Sequence, residues 1–223
     1  GRPERGQEVH SHGLGTAMRT WSLPKADTYF APLMTEAGFQ VEHLLAALRY
    51  VTNWRAAVDG GAHVGTWTCE MAARFGKVIA FEPAPDTFDC LKLNIGELSN
   101  VETRRAALGE RHGYGTLYDD PWRQGNTGAR FLRANGSGDV LIRALDEFGL
   151  EDLDLLKLDL EGAELAALRG AEGTIRRCRP VVVMEVKRLG PGRDDPELAV
   201  AKLISLGYGE IERRGNDRIY LPH

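Results

Sequence analysis

A glycine-rich turn is the segment of the sequence most able to do chemistry. It spans residues 58–66 (VDGGAHVGT), between a predicted strand and a predicted helix. Gly61 and Gly65 allow the backbone to turn tightly and to approach a ligand, and the helix that follows offers free N–H groups. The segment is therefore predicted to be a nucleotide-binding turn.

An acidic residue, Glu82, ends the next predicted strand 21 residues after Gly61. A carboxylate at this place can accept hydrogen bonds from both hydroxyls of a ribose. Ala106 and Ala107 end the third predicted strand, where small side chains would leave room for an adenine ring, although packing alone would equally explain them. The turn and Glu82 together predict an adenosine site.

Asp59 distinguishes between the cofactors that carry adenosine. A carboxylate beside the turn would repel the pyrophosphate of a dinucleotide, whereas S-adenosylmethionine carries an ammonium and a sulfonium there. The turn also lacks the G-x-G-x-x-G pattern of dinucleotide sites. Asp59 thus favours the methyl donor, unless it only caps the turn's own amides. His63 either shapes the donor pocket or is a half-buried, hydrogen-bonded histidine without a chemical role.

A second group of charges lies in the fourth predicted strand, where Lys157, Asp159 and Glu161 alternate with leucines. Alternation puts the three on one side of the strand, at the carboxyl end where open α/β sheets bind ligands. Asp159 is the first candidate for a general base or for a group that orients the acceptor, and Glu161 is the second. Lys157 could keep one of the two carboxylates ionised. In the alternative interpretation Glu161 caps the next helix while Lys157 and Asp159 merely pair.

A metal site at the same edge is a weaker hypothesis. Asp159, Glu161 and Glu185 could supply the oxygen ligands that a divalent cation prefers. No His-rich cluster lies near them in the sequence, so we expect the chain to act without a metal.

Apolar runs of strand length alternate with helical ones for most of the chain, which predicts crossover connections in a parallel sheet. We expect an α/β fold, a single doubly wound, mainly parallel, seven-stranded sheet with an antiparallel C-terminal hairpin turning at Gly215–Asn216. Residues 109–140 interrupt the rhythm with seven glycines and are predicted to form loops and a small hairpin over the end of the sheet. The predicted strands are 56–59, 78–81, 101–108, 153–160, 181–186, 208–213 and 218–221, and the predicted helices are 39–51, 66–75, 86–98, 164–178 and 195–206.

Two regions are predicted along the chain: a mobile N-terminal arm at residues 1–34 and one domain at residues 35–223. Residues 1–20 show no apolar period, and residues 21–34 combine aromatic side chains with prolines, which is compatible with a lid. His10 and His12 could bind a metal, but a solvated tail is the favoured interpretation.

The composition bounds the partners and the compartment. The chain has 223 residues and a formal net charge of -4, so no global positive field favours nucleic acid. No run reaches the ~18 apolar residues of a membrane span, and the N-terminus lacks the apolar core of a signal peptide. Cys69, Cys90 and Cys178 are odd in number and far apart, which predicts reduced thiols and a cytoplasmic protein.

The residues resemble those of the FkbM-type methyltransferases, which use S-adenosylmethionine and have the Rossmann-like class I methyltransferase fold. The match rests on residues 58–66, on 78–83 (VIAFEP) and on 156–164 (LKLDLEGAE), in this order. The resemblance implies that Asp59, Gly61 and Gly65 hold the methionine end of the donor. It also implies that Glu82 holds the ribose and that Ala106 and Ala107 line the adenine pocket. Gln40, in the helix before the turn, is a weaker candidate for binding the donor's carboxylate. The candidate cofactor-binding residues are Gln40, Asp59, Gly60, Gly61, Ala62, His63, Gly65, Glu82, Pro83, Ala106 and Ala107.

The reaction that follows is O-methylation of a small acceptor such as a sugar or natural product, with Asp159 and Glu161 at its centre. Residues 102–143 carry seven arginines and five acidic residues, which is compatible with an anionic acceptor or simply with a solvated loop face. An NAD-dependent oxidoreductase and a binding module without catalysis are the alternatives to this function.

The motif Asp119-Asp120-Pro121-Trp122 superficially resembles that of amino-methylating DNA enzymes, but it does not end the fourth strand. We expect no nucleic acid and no membrane as partners, and the oligomeric state is open.

Overall fold

A computed structural model describes residues 7–12, 18–34, 40–190 and 193–223. The strands in chain order are β1 (Gln7–His12), β2 (Met18–Leu23), β3 (Ala56–Gly60), β4 (Lys77–Phe81), β5 (Val101–Arg104), β6 (Ala107–Leu108), β7 (Gly113–Tyr118), β8 (Phe131–Ala134), β9 (Val140–Arg143), β10 (Leu153–Leu158), β11 (Val181–Glu185), β12 (Tyr208–Arg214) and β13 (Asp217–Pro222). The α-helices are α1 (Val41–Leu48), α2 (Thr66–Ala72), α3 (Pro85–Ile95), α4 (Glu164–Gly170), α5 (Glu172–Cys178) and α6 (Pro196–Ser205).

The main sheet has seven strands in the order β12-β13-β11-β10-β3-β4-β5. The five from β11 to β5 are parallel, while β13 pairs antiparallel with β11 and with β12. This mixed sheet confirms the predicted α/β fold with its C-terminal hairpin. The adjacent Leu155 and Leu156 of β10 belong to different apolar clusters, because successive side chains of a strand face opposite sides of the sheet. The central strands are thus covered on both faces.

The predicted strand 101–108 is divided between two sheets. After β5 the chain bends, with the N–H of Ala106 donating to the carbonyl of Arg104 at 2.9 Å. β6 then pairs in parallel with β9, in a second sheet of order β6-β9-β7-β8. The segment predicted to be loops and a small hairpin therefore contains the β7–β8 hairpin and more strand structure than expected. A continuous apolar run could not reveal the change of sheet, because both halves of the run are extended.

The predicted helix 164–178 is two helices. At Gly170 the backbone lies so close to the second sheet that a Cβ atom would be 2.0 Å from the carbonyl oxygen of Gly109. The side chain of Asp146 accepts the N–H groups of Gly173 and Thr174 at 2.8 and 2.7 Å, which caps the start of α5. The residues that divide the helix, Gly109 and Asp146, are both distant from it in the sequence.

The N-terminal segment differs from the irregular arm expected there. β1 and β2 form an antiparallel hairpin, and Asn94 of α3 bonds to both the N–H (2.7 Å) and the carbonyl (2.9 Å) of Ser22. Trp21 and Leu23 are buried, and their alternation with polar neighbours was the available strand signal. The side chains of His10 and His12, as well as residues 1–6 and 13–17, lie outside the described part of the chain.

Two further expectations concern thiols and membranes. Cys69, Cys90 and Cys178 form no disulfide, as expected. Within the described residues, no helix combines the length and the apolar character that crossing a membrane would require.

Candidate functional site

A cavity of about 730 Å³ lies at the carboxyl ends of β3, β4, β10 and β11. Its volume falls in the upper part of the ~300–1,000 Å³ range of small-molecule sites, which gives room for a cofactor together with a small second ligand. Ten of the sequence candidates line it, namely Gln40, Gly61, Ala62, His63, Glu82, Pro83, Ala106, Ala107, Asp159 and Glu161. Asp59, Gly60 and Gly65 are not among the lining residues.

The two glycines with positive φ in the turn have different structural roles. Gly61 has φ 74°, and a Cβ atom at this residue would lie 1.9 Å from the carbonyl oxygen of Asp159. Gly65 has φ 93°, and its missing side chain makes room for Leu91 of α3. Gly61 therefore brings the end of β3 against the end of β10, while Gly65 serves helix packing.

Asp59 supports the turn from behind instead of facing the cavity. It is completely buried and accepts a hydrogen bond from the Thr68 hydroxyl at 2.6 Å. The Lys157 ammonium lies 3.1 Å from Asp59 Oδ1 and forms an ion pair with it, but the geometry is not that of a hydrogen bond. The ammonium donates a hydrogen bond to the carbonyl of Gly61 at 2.7 Å. Burial by itself would lower the pKa of Lys157, but the carboxylates of Asp59 and Asp159 raise it, so the side chain stays charged.

Glu82 faces the cavity and also fixes the turn. Its Oε2 accepts the N–H of His63 at 2.9 Å and its Oε1 accepts the N–H of Ala84 at 2.8 Å. Burial raises the pKa of Glu82 to about 7 although both hydrogen bonds oppose the shift. Each oxygen keeps a second lone pair for a ligand, so the two together suit a diol.

The roof of the cavity is built by two segments that are distant in sequence. Tyr29 and Phe30 line it from the N-terminal side, and residues 122–130 of the segment after β7 line it from the other. The N–H groups of Thr28 and Tyr29 donate to the carbonyl of Gly125 at 2.9 and 3.2 Å. The two segments therefore form one covering layer.

A buried chain of polar groups, the Asp27–Thr127–His63 chain, ties this roof to the turn. The Thr127 hydroxyl lies 2.5 Å from Asp27 Oδ2 and 2.9 Å from His63 Nε2. Since the hydroxyl has one proton and gives it to the carboxylate, it accepts from His63 Nε2–H, which assigns the tautomer. Burial lowers the pKa of His63 to about 4, so the imidazole is neutral near pH 7.

Thr127→Val should loosen this roof. The change keeps the shape of the side chain but removes one hydrogen bond to Asp27 and the acceptor of the His63 N–H, and a buried donor left unpaired costs about 1–3 kcal/mol. We expect a matching decrease in the free energy of unfolding in chemical denaturation, with Thr52→Val at an exposed site as the control. Equal stability of Thr127→Val and the wild type would contradict this role.

Three carboxylates meet at the far end of the cavity. Oxygen atoms of Asp159, Glu161 and Glu185 all lie within 4.8 Å of one another. Lys187 Nζ lies 3.0 Å from Glu161 and 2.7 Å from Glu185, and Arg123 binds Glu161 at 2.6 Å. These oxygens are the ligands a divalent cation would use, but Lys187 and Arg123 together already pair with two of the three carboxylates. Metal independence stays a prediction.

Asp159 differs from its two neighbours. Its side chain makes no hydrogen bond or ion pair with the part of the chain that the structure describes, and it lines the cavity beside the turn. Glu161 has φ 53° and is held by two cations, so it is less suited to take a proton. The N–H of Leu160 donates to the carboxylate of Glu164 at 2.8 Å, and not to that of Glu161. Burial and the Asp159 carboxylate raise the pKa of Glu185.

Asp120 of the acidic motif takes no part in the cavity's chemistry. It accepts the N–H of Trp122 at 2.9 Å, and its Oδ2 lies 3.1 Å from Arg123 and 2.8 Å from Arg193. The motif thus anchors the rim, where Trp122 is 85% exposed.

Trp67 was not singled out by the sequence. It directly follows the turn, lines the cavity and is 4% exposed. Its indole N–H is buried and has no acceptor among the described residues, and a buried unpaired donor typically costs about 1–3 kcal/mol. The Lys157 ammonium lies 5.8 Å from the centre of its ring.

Comparisons with known proteins place the chain among methyltransferases. A family model described as the methyltransferase FkbM domain matches residues 59–209. Methyltransferase 1 of Beauveria bassiana (strain ARSEF 2860) is 28% identical, aligning 52% of this chain with 57% of its own. Methyltransferase sdnD of Sordaria araneosa is 29% identical, aligning 52% of this chain with 60% of its own. The chain thus spans less than two thirds of the length of these curated relatives.

A solved structure shows the same fold. It is the methyltransferase FkbM from Methylobacillus flagellatus KT, with a TM-score of 0.50 at 18% identity, covering 75% of this chain and 43% of that one. The fold of the chain is therefore a known one.

Proposed function

The chain belongs to the FkbM methyltransferase family, and on this basis we propose that it transfers a methyl group from S-adenosylmethionine to a hydroxyl oxygen of a small, neutral, sugar-like or natural-product acceptor. The donor supplies a sulfonium methyl that is already activated toward nucleophiles. The protein must bind the donor, align the acceptor, exclude water and remove the hydroxyl proton.

The donor fits the residues around the turn. The Glu82 oxygens suit the ribose hydroxyls, and the small Ala106 and Ala107 leave space for adenine. Gly61 lets the turn lie directly against the backbone of Asp159, so a donor sulfur over the turn would lie beside that residue. The roof of Tyr29, Phe30 and residues 122–130 would exclude water.

The single observation that supports O-methylation most is the unpaired carboxylate of Asp159. A hydroxyl acceptor has to lose its proton as the methyl is transferred, and an unpartnered carboxylate in a cavity can accept that proton. A carboxylate oxygen of Glu185 lies within 4.8 Å of one of Asp159, and burial together with the Asp159 carboxylate raises the pKa of Glu185.

The acceptor is proposed to be neutral because the cations around the cavity already have partners. Arg130 pairs with Asp86 and Asp119. Arg123 and Lys187 bind the acidic cluster. An anionic acceptor would have to displace one of these pairs, whereas the exposed Trp122 offers an apolar face at the rim.

Methyl-labelled S-adenosylmethionine tests the proposal with three panels of acceptors: neutral glycosides and hydroxylated natural products, nucleotide-linked sugars, and primary amines. We expect label in the first panel. Label only in nucleotide-linked sugars would contradict a neutral acceptor, and label only in amines would contradict O-methylation. Donor binding without transfer to any panel would favour a module without catalysis.

Donor binding should depend on pH through Glu82. Its carboxylate form accepts the ribose hydroxyls, and the protonated form that prevails below pH 7 cannot accept at both oxygens in the same way. Affinity for 5′-methylthioadenosine, which has no group that titrates in this range, should therefore rise about tenfold from pH 6 to pH 8. Calorimetric titration measures this, and Glu82→Gln should remove the pH dependence. A flat profile in the wild type would contradict the assignment.

A further inference from the structure

One branch of the cavity is lined by groups that the adenosine does not require. Gln40, at the start of α1, Trp67 of α2, Lys157 of β10 and Asn216 of the C-terminal hairpin all line the cavity. β3 lies between β10, which carries Lys157, and β4, which Glu82 follows. A donor with its ribose at Glu82 and its sulfur over the turn would direct its amino-acid end toward Lys157.

Two donors in this branch still have capacity. The Trp67 N–H is buried without an acceptor among the described residues. The Lys157 ammonium has three N–H groups, of which one binds the Gly61 carbonyl while Asp59 balances its charge. The ammonium lies 5.8 Å from the centre of the Trp67 ring. A neutral N–H beside an ammonium suits an anion with two oxygen atoms, such as a carboxylate.

We propose that the indole N–H of Trp67 and the ammonium of Lys157 receive the α-carboxylate of the methyl donor. The inference rests on the proposed function, because it takes the donor to be S-adenosylmethionine. Asp59 then acts as a positioning residue that holds Lys157 in place without touching the ligand.

Trp67→Phe tests the contact, since it removes the N–H and keeps an aromatic ring. Calorimetric titrations would compare S-adenosylmethionine and S-adenosylhomocysteine, which have the carboxylate, with 5′-methylthioadenosine and decarboxylated S-adenosylmethionine, which lack it. The variant should weaken binding of the first two by about ten- to a hundredfold and that of the other two by less than about twofold. Trp54→Phe, at a half-exposed tryptophan outside the cavity, should change none of the four.

The outcomes separate this inference from the proposed function. If the wild-type chain binds neither S-adenosylmethionine nor S-adenosylhomocysteine, the proposed function fails, and the inference fails with it. If the wild type binds them and Trp67→Phe weakens all four ligands equally or none of them, the inference alone fails. Thermal denaturation of the free variant checks that it is folded at the titration temperature, because the smaller ring leaves space in the core.

A spectroscopic measurement on the wild-type chain gives a readout that does not depend on the variant's folding. The chain has four tryptophans, so its ¹⁵N spectrum has four indole signals, which single Trp→Phe variants at the other three positions assign by elimination. The Trp67 indole proton should move downfield with S-adenosylhomocysteine and stay in place with 5′-methylthioadenosine. The same shift with both ligands, or no shift with either, would overturn the proposal.

Discussion

Asp159→Asn should lower the rate of methyl transfer by about 10²–10⁴, the usual loss when a general base is removed. The amide has nearly the same shape as the carboxylate but cannot take the proton of an acceptor hydroxyl. Because Asp159 has no partner among the described residues, the change breaks no ion pair, and affinity for S-adenosylmethionine should change by less than about threefold. Steady-state turnover on the accepted hydroxyl compound and calorimetric titration measure the two effects.

Asp152→Asn is the matched control, because Asp152 is exposed and precedes the opposite end of the same strand. It should turn over at the wild-type rate. Wild-type turnover by Asp159→Asn would place the base elsewhere. A loss of donor affinity as large as the loss of rate would instead assign Asp159 to donor binding.

Asp59→Ala should decrease the free energy of unfolding by about 3–5 kcal/mol, because it leaves the buried Lys157 ammonium without its counter-charge. The second change Lys157→Met should restore much of that loss, since it removes the uncompensated charge. Urea denaturation of the wild type and the two variants measures both effects. Glu110→Ala, which breaks an ion pair between half-exposed side chains, should cost no more than about 1 kcal/mol.

A small effect of Asp59→Ala on stability together with a large loss of donor affinity would contradict this role and indicate that Asp59 contacts the donor directly. That contact is what the sequence alone suggested, because a carboxylate beside a glycine turn attracts the cations of S-adenosylmethionine. The sequence could not show that Lys157, 98 positions further along the chain, would neutralise it.

The parallel sheet was predictable because its signals are local. Val181 to Met184 are buried on both sides of the sheet and are read as a continuous apolar run. Gly215 at the C-terminal turn and Pro196 at the start of α6 likewise act on their immediate neighbours. The separation of β5 from β6 depends instead on pairing with β9, more than 30 residues away, so local patterns do not contain it.

The same distinction holds for the site. Glu82 and Asp159 follow strands whose carboxyl ends must meet at one edge of a parallel sheet, so their convergence was predictable. The Asp27–Thr127–His63 chain joins segments 100 and 64 positions apart, and no spacing in the sequence reveals it. Trp67 could have been singled out as the first aromatic residue after the turn, but its unpaired N–H is visible only once its neighbours are placed.

Calorimetric titration of the intact chain with S-adenosylmethionine and with NAD⁺ tests the central claim most directly, with Glu82→Ala as the variant. We expect S-adenosylmethionine to bind at one site per chain, NAD⁺ to give no binding heat, and Glu82→Ala to weaken binding by about ten- to a hundredfold. Binding of NAD⁺ in preference to S-adenosylmethionine, or an affinity that Glu82→Ala leaves unchanged, would contradict the account.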